Sequence, residues 1–254
     1  MKSPLRVPSR EFKCLSLLKG LIPLDSVVHS FLMFDGGLEI ALSHDGRYVV
    51  GHTNKYVIHE FWRCVQENPQ RLAEVAEYFQ PIEDENIFYL LQENWPKYHD
   101  PYIRSALFLL LNRYSENGQI SSGQFNPERY RPTDLLALKR VGFRNLHLIL
   151  DLEDDFLDSI RNIKGRCDTI VVPMGSYSFN YLEEGKPEGF EDTKVYHKET
   201  QKLLEETDQR MVLIYKSTPM VEKVYKDSNL YFVDQWGRQA KDSSQAVEVL
   251  VANF

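Results

Sequence analysis

The sequence predicts an α/β protein with a doubly wound, mostly parallel, Rossmann-like sheet, ending in an antiparallel strand pair and carrying a small helical and hairpin insertion. Three observations carry this. Short apolar runs alternate with amphipathic stretches in strand and helix order; the turn Asp35-Gly36-Gly37 joins the first run to the next helix; and the order is interrupted once, by a turn-rich segment near the middle. A chain of 254 residues is long enough for one such domain, or for a core domain with an insertion.

Taken in order, Phe12, Leu15, Leu18 and Leu21 to Ile22 recur close to a 3.6 period ahead of Pro23, which predicts a first helix. "VVHSFLMF" (27–34) reads as a strand, "LEIAL" (38–42) as the short helix opened by the glycine turn, and "RYVVGHT" (47–53) as a second strand. "YVIHEFWRCVQEN" and "PQRLAEVAEYF" (56–79) are two amphipathic helices parted at Pro69. Asp100 followed by Pro101, an N-cap with proline at the first helical position, opens a long helix over "DPYIRSALFLLLNRYSEN". "GQISSGQFNPERYRP" (118–132) is rich in Gly, Ser, Asn and Pro and reads as a loop or small hairpin. The alternation resumes with a helix over 133–143, a strand over 146–152, a helix over 153–162, the strand "DTIVVPM" (168–174), a helix over 193–207, a strand over 210–217, a helix over 220–227, and a terminal antiparallel pair over 229–236 and 245–254. The expected division is an α/β domain made of 1–80 and 133–254, with 81–132 as an inserted helical subdomain.

Composition excludes several classes. With 43% hydrophobic and 26% charged residues the chain is neither disordered nor fibrous. Cys14, Cys64 and Cys167 are odd in number and widely spaced, so no disulfide framework or zinc site is expected and a reducing, cytoplasmic setting is. No apolar run reaches the roughly 18 residues of a membrane span. The net charge of −7 and the pI of 5.6 argue against a protein whose main task is gripping a phosphate backbone. The basic group Arg129, Arg131, Lys139, Arg140 and Arg144 reads first as a solvated face.

Six pieces in this order resemble the Dam-type adenine-N6 DNA methyltransferases. "KSPLRVP" (2–8) is similar to that family's opening PLRYPGGK, "FDGGLEIAL" to its FxGGG turn and helix, and "FWRCVQENPQRL" to the helix after its second strand. "LNRYSENGQISSGQFNPERY" is similar to its LNRxxFNGxxR…GxFNxPxG recognition segment, "YKSTPMVEKVY" to a strand ending before a helix, and "EVLVANF" to its closing strand. The resemblance implies a SAM-binding α/β domain with a DNA-recognition insertion. On it, DNA contacts would fall on Asn112, Arg113, Asn117, Gly118, Gln124 and Asn126. The other reading of those residues is a turn-rich hairpin. Since the family is frequent in phages and restriction systems, the resemblance also points toward a viral or mobile-element origin, in a host cytoplasm or virion.

The same resemblance exposes what is missing. Methyl transfer to an adenine amine needs a cradle for the cofactor and an acceptor for the amine, which the family supplies as DPPY after its fourth strand. Here that place holds Pro173, Met174, Gly175, Ser176 and Tyr177; the family's aspartate falls on Pro173 or on Met174, and neither offers an acceptor. The opening glycines and lysine are replaced by Ser9, Arg10 and Glu11, the acid before the glycine turn by Leu32, and the acid ending the second strand by His52 or Thr53. Phe34, Gly36 and Gly37 remain as a vestige of the cofactor turn, although two glycines after a strand also make an ordinary tight turn.

The expectation is a degenerate, catalytically inactive relative acting as a scaffold or regulatory interaction protein, with no catalytic residue, cofactor or metal and with a protein partner. A DNA reader that keeps the recognition hairpin is the alternative, and a divergent active enzyme using SAM, with Ser176 or backbone carbonyls in place of the aspartate, the third. His52 with His59 and Glu60 as a metal site, Cys167 as a nucleophile, Asp151 to Asp158 as a cation or partner site, and Tyr177, Phe179 and Tyr181 as a stacking platform each have a plainer reading as packing, capping or edge-covering residues.

Overall fold

The computed structural model describes residues 3–6, 12–116, 118–121, 123–153, 155–163, 167–177 and 195–254. Its first helix, α1 (Leu15–Leu21), is only seven residues long, too short to stand by propensity. Distant side chains complete both its ends. The Cys14 amide donates to Glu248 Oε2 at 2.7 Å, while the buried Arg47 guanidinium donates to the carbonyls of Lys19 and Ile22 and pairs with Asp45. An anion at the helix start and a cation at its end are the placements its dipole favours.

Strands β1 (Val27–Ser30) and β2 (Tyr48–Thr53) flank α2 (Gly37–Ser43), and α3 (Tyr56–Glu67) and α4 (Pro69–Tyr78) follow. Next come α5 (Glu85–Asn94), a 3₁₀ turn (Trp95–Lys97), α6 (Pro101–Tyr114) and α7 (Thr133–Lys139). The remainder alternates: β3 (Leu146–Leu150), α8 (Phe156–Asn162), β4 (Thr169–Gly175), α9 (His197–Glu206), β5 (Arg210–Lys216), α10 (Pro219–Val224), β6 (Asn229–Val233) and β7 (Glu248–Ala252). Caps set several boundaries: Asn68, Asp84, Asp155 and Thr218 each accept a first-turn amide, and Asp100 accepts two, from Tyr102 and Ile103.

The seven strands form one sheet in the order β3-β2-β1-β4-β5-β7-β6. The pairs from β3 through β5 are parallel, and β7 runs antiparallel between β5 and β6. This is the expected Rossmann-like, methyltransferase-type architecture. Strand alternation sorts the core onto two faces. Val28, Val49, Val171, Val212 and Ile214 lie in the cluster that holds Leu38, Phe61, Leu72 and Phe108; Ile170, Val172, Leu213 and Tyr215 lie with Phe156, Ile160, Leu204 and Val221.

Several elements are shorter than the sequence expectation, α7 ending at Lys139 and α9 beginning at His197, and two further differences have a physical origin. The first strand stops at Ser30 rather than running to Phe34, because Leu32 turns left-handed at φ 55°. Residues 31–34 are buried all the same, so the apolar run continues where the ladder does not. The helix α5 was not individually expected, since Ile87 to Leu91 are five consecutive apolar residues without a 3.6 period. The turn-rich stretch is a loop closed by a single antiparallel bridge, Ser115 to Phe125. α6 packs against α3 and α4, and Phe88, Trp95 and Phe108 share one cluster with the sheet residues.

The closing resemblance motif has a structural reason. Asn253 Oδ1 accepts from the Met211 amide at 2.9 Å, and its Nδ2 donates to the carbonyls of Thr207 and Gln209, fixing the entry to β5. Asn253→Ala leaves these groups unpartnered beside a buried strand and should cost about 2–4 kcal/mol. A urea midpoint unchanged by this substitution would show that the amide does not hold the junction.

Candidate functional site

Strand order reverses between β1 and β4, and in an open α/β sheet the crevice beyond the carboxyl ends of such strands is where ligands bind. Their ladder ends early: the last register pair is Ser30 with Val171, followed by the Phe31 amide donating to the Val171 carbonyl. Pro173 therefore lies beyond the point where β1 needs a donor, which is how a proline is tolerated in a central strand. On the β5 side the register slips between Pro173 and Gly175, making Met174 the extra residue of a bulge. Met174 is buried with Phe31 and Leu32, Gly175 turns at φ 67°, and the Ser176 side is exposed. Tyr177 stacks on His197 with ring centroids 4.0 Å apart, and His197 in turn hydrogen-bonds the buried Tyr215 hydroxyl, which meets that of Tyr225. Burial drives the Tyr215 and Tyr225 phenols far above their ordinary range, so both stay neutral. Phe179 and Tyr181 lie outside the described residues.

Across the crevice, Gly36 adopts φ 66°, and a Cβ there would come within 2.5 Å of Trp62 Cζ2. The Trp62 indole, fully buried, donates from Nε1 to the Phe34 carbonyl at 2.8 Å. A Cβ on Gly37 would meet Asp35 Oδ2 at 2.8 Å and Ser3 Cβ at 3.7 Å, and the Ser3 hydroxyl donates to the Asp35 carbonyl. Both glycines thus serve contacts made by the chain itself. Phe34 packs on Phe108, and Leu32 is buried. Ser9, Arg10 and Glu11 lie outside the described residues.

At the end of β2 the structure assembles a group that the sequence does not advertise. His52 Nδ1 is 2.9 Å from Asp151 Oδ1, and His52 Nε2 is 2.8 Å from His29 Nδ1. With Asp151 ionised, His52 donates from Nδ1 to the carboxylate and accepts at Nε2, so His29 must donate from Nδ1. Phe31 stacks on His52 at 4.3 Å. Burial, and then the neighbouring His52, push the His29 imidazole down to about 4, with Asp151 pulling the other way. The pairing is invisible locally because it depends on register: His29 lies opposite Val50, two residues before His52. His59 is elsewhere, on α3, and among the described residues no group of three or more His, Cys, Asp or Glu side chains is placed to hold a metal. The acidic run divides its work, Asp151 holding His52 and Asp155 capping α8. Cys167 is pushed up to about 11 by burial and then by Asp168, leaving it a poor nucleophile at neutral pH.

The residues expected to face DNA are placed unequally. Asn112 is fully buried: its Oδ1 accepts from the Arg6 amide at 2.7 Å, and its Nδ2 donates to the carbonyls of Arg6 and Gly118. Its polar atoms serve the chain rather than a base edge. Arg113 is buried too, donating to the Ser3 carbonyl and lying 3.4 Å from Asp134 in an ion pair. Burial lowers its guanidinium from the usual value. Gly118, at φ 73°, leaves room for Arg6, whose carbonyl would sit 2.6 Å from a Cβ. Asn126 caps the 3₁₀ turn Pro127–Arg129 and donates to Glu116, which also holds Arg129. Gln124 is exposed, and Asn117 lies outside the described residues.

No family model matches the chain, and no curated protein matches it. Among solved structures it is similar to a protein of Streptococcus mutans described as a candidate SAM-dependent methyltransferase, at 11% identity and a TM-score of 0.39. The match covers 98% of this chain and 49% of the other, so this chain spans about half that neighbour's length. So loose a likeness says nothing of substrate or activity, and the fold assignment stands on the strand order itself.

Two outcomes check this geometry. Gly36→Ala forces a Cβ into the indole at a left-handed residue and should cost about 2–4 kcal/mol in urea unfolding; a loss below about 0.5 kcal/mol would mean the turn does not depend on Trp62. His29 stays neutral in the folded chain to about pH 4, against 6.5 for an ordinary histidine. Between those values the unfolded state binds the extra proton, so stability is complete above about pH 6.5 and falls by up to about 3 kcal/mol as the pH drops toward 4. His29→Asn should flatten that part of the profile, and an unchanged slope would remove His29 as its cause.

Proposed function

We propose that this chain is a methyltransferase-fold protein that does not methylate and that works as a scaffold or regulatory partner for another protein, through the surface around its crevice. The observation that carries the reading is the crevice chemistry: Pro173, Met174 and Gly175 bring no side-chain acceptor to the end of β4, and Met174 packs into the apolar core. Loss of such an acceptor alone costs roughly a thousandfold in rate. The glycine turn opposite, where a cofactor would need close backbone approach, is packed by Trp62, Asp35 and Ser3.

A second reading, DNA binding without methylation, is favoured by one observation. Gln124, Arg129 and Arg131 are exposed on the loop that resembles the recognition segment. It would be local and salt-sensitive, given the net charge of −7.

Isothermal titration with SAM should give no binding up to about 1 mM, and tritium transfer from labelled SAM to duplex DNA should stay at background. A Kd below about 10 µM, or transfer above background, overturns the reading. A low-salt gel shift decides the second one: retarded duplex that returns to free mobility in Arg129→Glu/Arg131→Glu supports it, and no shift removes it.

A further inference from the structure

The sheet has two edges, and the chain covers one of them. At β6 the Ala240 amide donates to the Phe232 carbonyl at 2.8 Å, and Val233 bridges Gln239. At β3 the edge is bare. The Val49 amide donates to the Asn145 carbonyl and the Asp151 amide to the Thr53 carbonyl, which fixes the phase of the parallel ladder. Asn145, His147, Ile149 and Asp151 therefore turn toward β2, and Leu146, Leu148 and Leu150 turn their amides and carbonyls outward. Of these outward groups only the Leu146 carbonyl has a partner among the described residues, Gln66 Nε2 at 3.2 Å. Natural edges are blunted by lysine, proline or a bulge. The β3 run Leu-His-Leu-Ile-Leu has none of these, and apolar side chains at and beyond it stand in solvent, Ile149 at 40% exposed and Leu152 at 92%.

Register identifies the occupant. A second β3 laid antiparallel, with a two-fold axis at Leu148, sets Leu146 opposite the partner's Leu150 and Leu148 opposite the partner's Leu148, so every outward amide meets an outward carbonyl. The Leu146 carbonyl keeps a second lone pair for this beside Gln66. His147 then faces the partner's Ile149 at the close, non-hydrogen-bonded positions. The flanks agree with the same axis. Before the strand stand exposed Arg140 and Arg144, with no ion pair among the described residues, while Lys139 pairs with Glu77. After it come Asp151, bonded to His52, and Glu153, bonded to Ser159 and Asn162, neither with a lysine or arginine partner among the described residues. Asp155 caps α8, Asp158 pairs with Arg161, and Asp154 lies outside the described residues. An antiparallel copy brings the basic flank of each chain to the acidic flank of the other and lays the Arg144 stem against the partner's Leu152. A parallel copy would set like charges together at both ends.

We propose that β3 is the seam of a homodimer, pairing antiparallel with β3 of a second copy about Leu148 and joining two seven-stranded sheets into one. A seam of 5 residues is short, so the dimer forms with rising concentration and is not permanent. The proposal does not rest on the reading of the crevice.

Sedimentation velocity of the full chain over about 5–500 µM should show a monomer becoming a dimer. Leu150→Pro removes an outward amide but no bond to β2, and Ile149→Lys adds the kind of charge that blunts natural edges; each should weaken association at least about tenfold. Arg144→Glu should weaken it too, and Arg144→Glu/Glu153→Arg should restore it, because each copy again meets the opposite charge. Register has its own readout. His147→Cys/Ile149→Cys should cross-link the dimer on mild oxidation and Ile149→Cys alone should not, since the close pair joins His147 to the partner's Ile149. Matching circular dichroism and urea midpoints keep misfolding out of the comparison. A chain that stays monomeric at the highest concentration overturns the proposal, as does a dimer indifferent to Leu150→Pro and Ile149→Lys, a double charge exchange no better than Arg144→Glu, or equal cross-linking of the two cysteine variants. A labelled Thr/Val strand peptide of about 8 residues provides the rival outcome. If it binds a chain that stays monomeric and Leu150→Pro abolishes that binding, the edge belongs to a strand of another protein.

Discussion

The indole of Trp62 stands where a side chain on Gly36 would have to go, and the way β1 ends follows from that contact. Trp62 projects from α3, holds the Phe34 carbonyl, and is itself fixed edge-on against Phe61 and Phe143. The segment from Phe31 to Gly37 is thereby tied to α3, while the Met33 amide reaches the His52 carbonyl at the end of β2. Leu32 in its left-handed conformation and Gly36 at the turn are consequences of fitting that path between the two. The turn is bonded to its own scaffold, and the crevice at the strand reversal takes its shape from this.

The helix α6 is joined to the same turn by a short series of specific contacts. Ser3 to Arg6 run from the Asp35 carbonyl to Asn112, and Asn112 reads the Arg6 amide and carbonyl as a neighbouring strand would. On the other side, Arg104 of α6 forks onto the Glu60 carboxylate of α3, which also receives the Tyr56 hydroxyl. Most of these groups are little exposed, so the pairing is screened less than a surface ion pair would be. α6 is therefore held to the sheet domain by polar bonds at its margins and by Phe61, Trp95 and Phe108 between them.

Much of the architecture was legible because it is written in local signals. The proline and Asn or Asp caps at Pro69 and Pro101 fix helix starts, and the β-branched runs fix strands. The parallel character of the sheet followed from the alternation, and the antiparallel terminal pair from its two closely spaced runs. What escaped depends on register or on contacts between distant segments. His29, His52 and Asp151 are separated by 23 and 99 residues, and nothing in their neighbourhoods announces that three parallel strands bring them together. Asn112 carried the opposite lesson: its chemistry suits a base edge, yet its place inside α6 gives its donors to Arg6 and Gly118. Burial and not residue type decided its role. The left-handed Leu32 left no trace either, since a leucine in an apolar run reads as strand.

The link between Cys14 and Glu248 bears on the order in which the chain can reach this state. The two residues are 234 positions apart, yet the carboxylate of one completes the helix begun by the other. Arg210 adds a second such tie, bonding the Leu21 carbonyl and lying 3.7 Å over the Phe254 ring. During synthesis α1 emerges long before β5 and β7, and at about 5–20 residues per second it waits on the order of ten seconds or more without its cap. A helix of seven residues cannot persist alone for that time. Of these elements α1 is thus among the last to settle, and the nascent chain exposes the apolar side of α1 until β7 arrives to claim it.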